Sequence, residues 1–384
     1  MSFYFRIPHS HFRIYASPMV IDVHCHVGYS ARRIDPALPR FTFEKNGAPG
    51  APGFDSYLSP RLLSRFAWFF IRRWLGIPRG LKAGDEFDAL LEKVYDRHWS
   101  AAPGIDRFVL LAFDEYHADA GRVLGPSQRR GQVGSDLYVS NTLVRALCMA
   151  RPDRYLFGAS LHPYRTEGDR DAASMLEELS AAGAVLIKWL PIHQNIRAED
   201  PRTVAFLRAA ARLKMPMLIH YGGEMSLARQ HMEFEHPGPM LDVLRRLRAD
   251  GEMPTVIVAH AATPSFIFQS ADGHRRLIEA LLGEFADAPI YADISALAAF
   301  GRTPWLKRLA ANKAVHKKLL FATDFPIPVM LRSFRRLMDA ETYARIAADP
   351  SWAHQDLLLK QALGFDPCVF TQARSVLNIN AESA

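Results

Sequence analysis

Two histidines, His24 and His26, flank Cys25 at the end of the apolar run Pro18-Met19-Val20-Ile21-Asp22-Val23. Side chains of an extended segment alternate faces, so residues two apart project the same way. Two imidazoles on one face of a strand can share a metal ion, although ordinary polar residues also occur at strand ends. Residues of metal-ligating type recur after later apolar runs. His220 ends Met217-Leu218-Ile219, His260 ends Val256-Ile257-Val258-Ala259, and Asp324 follows Leu319-Leu320-Phe321-Ala322-Thr323. A carboxylate directly after so apolar a run needs a partner or a cation to offset its desolvation. Imidazole and carboxylate together suit a borderline divalent ion such as Zn2+, and an ion with an open position activates water at neutral pH. Cys25 points to the opposite side of its strand from the two histidines and reads as packing, not as a nucleophile.

Lys188 lies inside a further apolar run, Leu186-Ile187-Lys188-Trp189-Leu190. Three readings are open for it: a carbamylated bridge between two metals, an amine paired with a carboxylate, or a snorkelling side chain. Other polar residues follow strand-like runs and are candidates for substrate contact: His162 and Arg165, His193, and Tyr221 with Glu224. Arg165 is the preferred anion partner, because a guanidinium suits a carboxylate.

The elements that must position these groups are eight short apolar runs. They are Val20 to His24, Arg107 to Phe113, Tyr155 to Leu161, Val185 to Leu190, Met217 to Tyr221, Thr255 to His260, Ile290 to Ile294 and Leu319 to Thr323. Several are rich in Val, Ile and Leu without alternation, as in strands covered on both faces. Helical patterns separate most of them: Asp136 to Ala150, Asp171 to Ala182, a helix opened by Asp200-Pro201, Pro239 to Arg248, His274 to Phe285 and Pro304 to His316. Asp200 is a good N-cap with proline at the first helical position, and Gly183 a good residue just past a helix end. Alternating strands and helices predict an α/β chain, either a (β/α)8 TIM barrel or a doubly wound sheet. The count of eight favours the barrel, as does the place of the histidines, since such barrels carry their chemistry at the C-terminal strand ends.

One stretch departs from the alternation. Residues 28–104, between the first and second strands, form a long insertion in an otherwise single domain spanning residues 1–384. It holds a Pro/Gly-rich segment (Ala48 to Gly53), an aromatic and basic helical part (Pro60 to Trp74) and a further helix (Glu86 to Trp99). It leaves the first strand at its C-terminal end and so is expected over the barrel mouth, as a lid or substrate pocket. A packing appendage, a dimer contact and a membrane-touching segment are the other readings.

Composition narrows the class. With 384 residues and 49% hydrophobic content the chain can build a large core. The formal charge of +7 favours anionic substrates, yet the arginines are scattered and no nucleic-acid-binding module accompanies them. Three cysteines, Cys25, Cys148 and Cys368, argue against a disulfide framework and for a reducing, cytoplasmic setting. The N-terminal residues lack the long apolar stretch of a signal peptide, and no run is long enough for a transmembrane segment.

The order His-x-His, Lys, His, His, Asp along strands one, four, five, six and eight resembles the amidohydrolase superfamily. Val20 to His26, Ile187-Lys188-Trp189-Leu190-Pro191, His220-Tyr221-Gly222-Gly223-Glu224 and Thr323-Asp324-Phe325-Pro326 resemble its amidohydrolase-related branch, which includes the aminocarboxymuconate-semialdehyde decarboxylase-like proteins. Val376 to Ala381 is similar to that branch's terminal Asn-Ala helix. The resemblance implies that His24, His26, His220 and Asp324 hold one metal and that Asp324 also moves a proton. It implies that His260 is a general acid/base or a ligand to a second metal, and that Lys188 bridges two metals if carbamylated. One ion, Zn2+ or another divalent metal such as Mn2+, is the preferred count. The branch also implies a homodimer. The function expected is hydrolysis of an amide, ester or lactone bond in a small, potentially anionic molecule. The alternative is non-oxidative decarboxylation of an unsaturated or aromatic acid at the same metal, and a third reading is a barrel with a vestigial site.

Overall fold

The computed structural model describes residues 19–100, 102–266 and 268–379. All eight apolar runs are strands, and they hydrogen-bond in chain order as one parallel sheet. They are β1 (Ile21–His26), β2 (Arg107–Leu111), β3 (Tyr155–Ala159), β4 (Leu186–Trp189), β5 (Met217–His220), β6 (Val256–Ala259), β7 (Ile290–Asp293) and β8 (Leu319–Leu320). The sheet closes on itself where the chain leaves β8. His26 N donates to the Phe325 carbonyl at 2.8 Å and Asp324 N to the His24 carbonyl at 2.9 Å. The result is a TIM barrel.

Two apolar layers explain the unalternating runs. Ile21, Val23, Val109, Leu111, Leu186, Leu218, Ile257 and Leu320 pack with one another as one buried cluster. The opposite strand faces pack under the helices, with Phe108, Ile187, Ile219, Val258 and Ile290 in a second, larger cluster. Parallel strands covered on both sides need apolar residues at successive positions. β1 shows how the first strand changes use along its length. Its register against β2 shifts between Asp22 and Cys25. Ile21 and Val23 therefore sit in the smaller cluster while Cys25, of the same parity, sits in the larger one. A bulge of this kind re-aims side chains, and here His24 and His26 take the face toward the barrel mouth.

The helices begin largely where their caps predict. Asp171 accepts a hydrogen bond from Ser174 N ahead of Ala172–Ala181, and Asp200 from Arg202 N ahead of Pro201–Arg212. Three expected helices are corrected. The pattern from Pro304 to His316 is α-helical only over Thr303–Ala311, with a 3-10 segment Lys313–Lys318 after the non-helical Asn312. The pattern from Asp136 to Ala150 is helical only over Asn141–Ala150, because Leu137–Val139 pairs as a strand with Ser56–Leu58. The pattern from Pro60 to Trp74 is two helices, Pro60–Leu63 and Phe66–Trp74, since Arg65 between them is extended. Of the expected terminal helix, Val376 ends Ala373–Val376, while Asn380 and Ala381 lie outside the described residues.

Between β1 and β2 the chain builds the helices Pro60–Leu63, Phe66–Trp74 and Asp85–Ser100 and two strands, Ala31–Arg32 and Ser56–Leu58, which form a small antiparallel sheet with Leu137–Val139 from the segment after β2. Among the described residues no helix is long and apolar enough to cross a membrane.

Candidate metal centre

The barrel brings six of the sequence-selected side chains to one place at the C-terminal strand ends: His24 and His26 from β1, Lys188 from β4, His220 from β5, and His260 and Asp324 just past β6 and β8. His24 Nε2 lies 3.2 Å from His26 Nε2. Asp324 Oδ1 is 3.3 Å from each of those nitrogens. Lys188 Nζ is 3.0 Å from His24 Nε2. His260 Nε2 is 3.9 Å from Asp324 Oδ2, and the rings of His220 and His260 meet edge to face at 4.8 Å. His24, His260 and Asp324 each offer a ligand atom within 4.8 Å of the others. His260 thus stands beside the carboxylate, where either role implied by the resemblance, general acid/base or ligand to a second metal, is within reach.

Backbone conformation contributes to this convergence. His260 has φ 53° and Asp324 has φ 62°, both in the left-handed region. Non-glycine residues hold that conformation only when their surroundings over-determine it, at about 1–3 kcal/mol each. Gly222, after His220, has φ 87°, and a Cβ there would sit 2.5 Å from the Thr263 carbonyl. The loops after β5 and β6 therefore approach closely enough to bring His220 and His260 together.

The donor set fits a divalent cation. Burial disfavours the imidazolium form of His24, His220 and His260 and holds each well below the ordinary histidine range, with Lys188 reinforcing this at His24 and His220 and Arg302 at His260. Neutral imidazoles offer lone pairs. His24 Nδ1 donates to Asp293 Oδ2 at 2.9 Å, and His260 Nδ1 to the Ser295 carbonyl at 3.0 Å. Both rings then turn an acceptor Nε2 inward. His220 Nε2 is buried with no hydrogen-bond partner. Lys188 Nζ donates to His24 Nε2, and the remaining acceptor nitrogens beside the carboxylate are of the type that a divalent cation takes as ligands. Burial would raise the Asp324 carboxyl, but its interactions with His24 and His26, including a hydrogen bond from His26, and the Lys188 ammonium hold it at about 2. Burial lowers the Lys188 ammonium to about 8.

Above the cluster lies a cavity of about 120 Å³. Its floor includes His26, Lys188, His220, His260 and Asp324, and its walls include Leu58, Leu62, Trp68, Ile71, Leu75 and Phe113. Glu224 also lines it, with Oε2 3.6 Å from His220 Nε2, and burial raises its carboxyl.

The other candidates for substrate contact do not reach the cavity. Arg165 is buried against Asp114, to which its Nε donates at 3.1 Å. His162 is bonded through Nε2 to the Gln194 carbonyl at 2.8 Å, and its Nδ1 accepts from Tyr164 N. His193 bonds the Ala228 carbonyl through Nδ1 and accepts from Asp136 N. Tyr221 packs in the larger apolar cluster. Each follows a strand, but His162 and His193 bond backbone of neighbouring loops, Arg165 pairs with the Asp114 carboxylate, and Tyr221 is taken up in the apolar packing.

Sequence reasoning also passed over three residues. Asp293 holds His24 Nδ1 and accepts from His260 N at 2.8 Å, and Ser295 holds His260. Arg302 is buried, donates to Ser265 Oγ and the Gly223 carbonyl, and leaves its Nε unpartnered. Asp293 closes the apolar run Ile290-Tyr291-Ala292, the same signal that singled out Asp324.

A family model described as amidohydrolase matches residues 21–358. No curated protein matches the chain. Among solved structures, the chain is similar to an uncharacterised TIM-barrel protein from Bordetella bronchiseptica at 15% identity and TM-score 0.53, covering 93% of this chain and 96% of that one. It is also similar to a probable 2-pyrone-4,6-dicarboxylic acid hydrolase from Acinetobacter baumannii with citric acid bound, at 14% identity, TM-score 0.45 and coverage of 94% and 99%. A third is 5-carboxyvanillate decarboxylase from Novosphingobium aromaticivorans complexed with manganese, at 13% identity, TM-score 0.46 and coverage of 94% and 97%.

Proposed function

Because the chain belongs to the amidohydrolase family, we propose that it is a metal-dependent hydrolase of an amide, ester or lactone bond in a small molecule with an apolar body. The observation that carries this reading is the juxtaposition of an acceptor-rich cluster with an apolar-walled cavity. His24, His26, His220 and Asp324 would hold one divalent ion, Zn2+ or Mn2+, with His260 beside them and a carbamylated Lys188 required for a second. Such an ion, when bound, supplies Lewis-acid polarisation of a carbonyl and a lowered pKa for water.

The remaining steps belong to the chain. Asp324, ionised at neutral pH, accepts the proton of the attacking water and returns it to the leaving group. His260, with Nδ1 held by the Ser295 carbonyl, turns Nε2 to the same space as a proton acceptor and serves there as a general acid/base. Asp293 and Ser295 are positioning residues for His24 and His260.

Substrate size and polarity follow from the walls. A volume of about 120 Å³ is below the roughly 300–1,000 Å³ of drug-sized sites, so the substrate is small. Among the described residues the lining holds no arginine, and Lys188 is its cationic side chain. That supports an uncharged or singly charged substrate over a polyanion, and hydrolysis over loss of a carboxylate. Residues 28–104 act as the substrate pocket of a single-domain enzyme; Leu58, Leu62, Trp68 and Leu91 on the cavity wall support this. Free Cys25, Cys148 and Cys368 support a cytoplasmic setting.

The test is a panel of small aryl and alkyl esters, amides, lactones and matching carboxylic acids, following proton release and carbon dioxide release together. Proton release from the acyl compounds, lost in Asp324→Asn, is expected. Carbon dioxide release from the acids with no acyl hydrolysis would overturn the reading in favour of decarboxylation.

A further inference from the structure

The helix that walls the cavity has a second face. Trp68, Ile71 and Leu75 turn toward the cavity. Phe66, Phe69, Phe70 and Trp74 stand outside it, with exposures of 80%, 45%, 39% and 40%. These four form one surface: ring centroids are 5.1 Å apart for Phe66 and Phe70, 5.3 Å for Phe69 and Phe70, and 6.4 Å for Phe70 and Trp74. A helix on a globular surface ordinarily turns charged and polar residues outward. Phe66–Trp74 turns aromatic rings both ways. Scattered exposed apolar residues need no explanation, but a contiguous patch of this kind marks an interaction surface.

The charge around the patch selects the partner. From Pro60 to Lys82 the chain carries Arg61, Arg65, Arg72, Arg73, Arg79 and Lys82 and no carboxylate. Arg61 is taken up by Asp136 in the interior, whereas Arg73, on the same helix, and Arg79 and Lys82, after it in the chain, are exposed. The Arg79 guanidinium lies 5.5 Å from the Phe69 ring centroid. A second copy docking through this patch about a twofold axis would set these cations against their own kind. An anionic bilayer surface is complementary on both counts: the rings enter the headgroup level and the cations meet lipid phosphates.

We propose that the outer face of Phe66–Trp74, with Arg73, Arg79 and Lys82, docks the enzyme on an anionic lipid surface. The bound helix is then both membrane anchor and cavity wall, which places the cavity beside the lipid where small apolar compounds concentrate. The docking does not depend on which bond the metal cluster helps to break.

The test is flotation of the full chain with phosphatidylcholine vesicles containing about one-third phosphatidylglycerol, and with phosphatidylcholine alone. Binding to the anionic vesicles, weakened by salt and absent with the neutral ones, is expected. Phe66→Ser/Phe70→Ser should lower partitioning about tenfold or more, and Arg73→Gln/Arg79→Gln should lower it by a similar factor. Thermal melting of both variants should match the parent, which separates lost docking from lost folding. Three results would overturn the proposal: no vesicle binding by the parent, equal binding by the phenylalanine variant, or a solution dimer that the phenylalanine variant splits without any vesicle binding.

Discussion

Two buried polar clusters sit around the same barrel mouth, built from similar residue types, and they are bonded in opposite ways. After β2 and β3, Asp114 accepts from Arg165 and from His162 N at 2.7 Å, while Glu115 accepts from Tyr57 and from Gly50 N at 2.8 Å. His117 stacks on His162 with centroids 4.2 Å apart. Donors there meet both carboxylates, although His117 Nε2 is left without a partner, and the bonds to Glu115 tie residues 28–104 to the barrel. At β1, β5, β6 and β8 acceptors outnumber donors: Lys188 donates to His24 Nε2 and His26 to Asp324, while the buried His220 Nε2 has no partner. A cluster whose carboxylates are met by donors holds structure together, whereas one that gathers several imidazoles around a carboxylate has ligands to offer a cation. The residue types alone do not separate the two cases.

Substitutions can break this comparison. The largest effect is expected at Asp324. Asp324→Asn keeps the volume but removes the base, and should lower kcat by about 10²–10⁴-fold with the fold intact; a variant within a few-fold of the parent rate would remove Asp324 from the proposed proton path. Arg165→Gln should do the reverse. It strands Asp114 in the interior and should lower stability by about 3 kcal/mol in urea unfolding, while metal content and the kcat of the folded protein hold.

The same ion pair gives a pH signature. Burial would raise the Asp114 carboxyl, but Arg165 and the neighbouring histidines hold it at about 2 against an ordinary 3.8. The native state therefore binds fewer protons than the unfolded chain in that window. The stabilisation, about 2 kcal/mol, is fully present above about pH 4 and is lost as pH falls through about 2. Arg165→Gln should abolish that part of the acid limb, and an unchanged limb would show that the pair does not set it. The smallest effect concerns the cavity wall. Trp68→Ala should raise KM for an apolar substrate about tenfold with little change in kcat; an unchanged KM would take Trp68 out of the substrate pocket.

Much of the barrel was legible because its signals are local. Eight apolar runs recur between helical patterns, and a parallel sheet covered on both faces has few other ways to be written. The strand Leu137–Val139 was not legible, because its partner Ser56–Leu58 lies far back along the chain and the segment's own pattern suits the helix that follows. The site divides along the same line. His24, His26, Lys188, His220, His260 and Asp324 could be found one at a time from strand ends. Asp293 carried the same signal, but its role shows only once β7 is laid beside β6 and β1. Arg165 looked open to an anionic substrate because nothing near it in sequence foretells its bond to Asp114.

The central claim is that the acceptor cluster at β1, β5, β6 and β8 is a metal site and the donor-matched cluster after β2 and β3 is not. Metal analysis of the purified full chain tests it most directly. About one divalent ion per chain is expected, lost in His24→Ala and His220→Ala and retained in Arg165→Gln and His162→Ala. A chain that holds no ion even after divalent metal is supplied, or one whose ion content survives His24→Ala and His220→Ala, would contradict it.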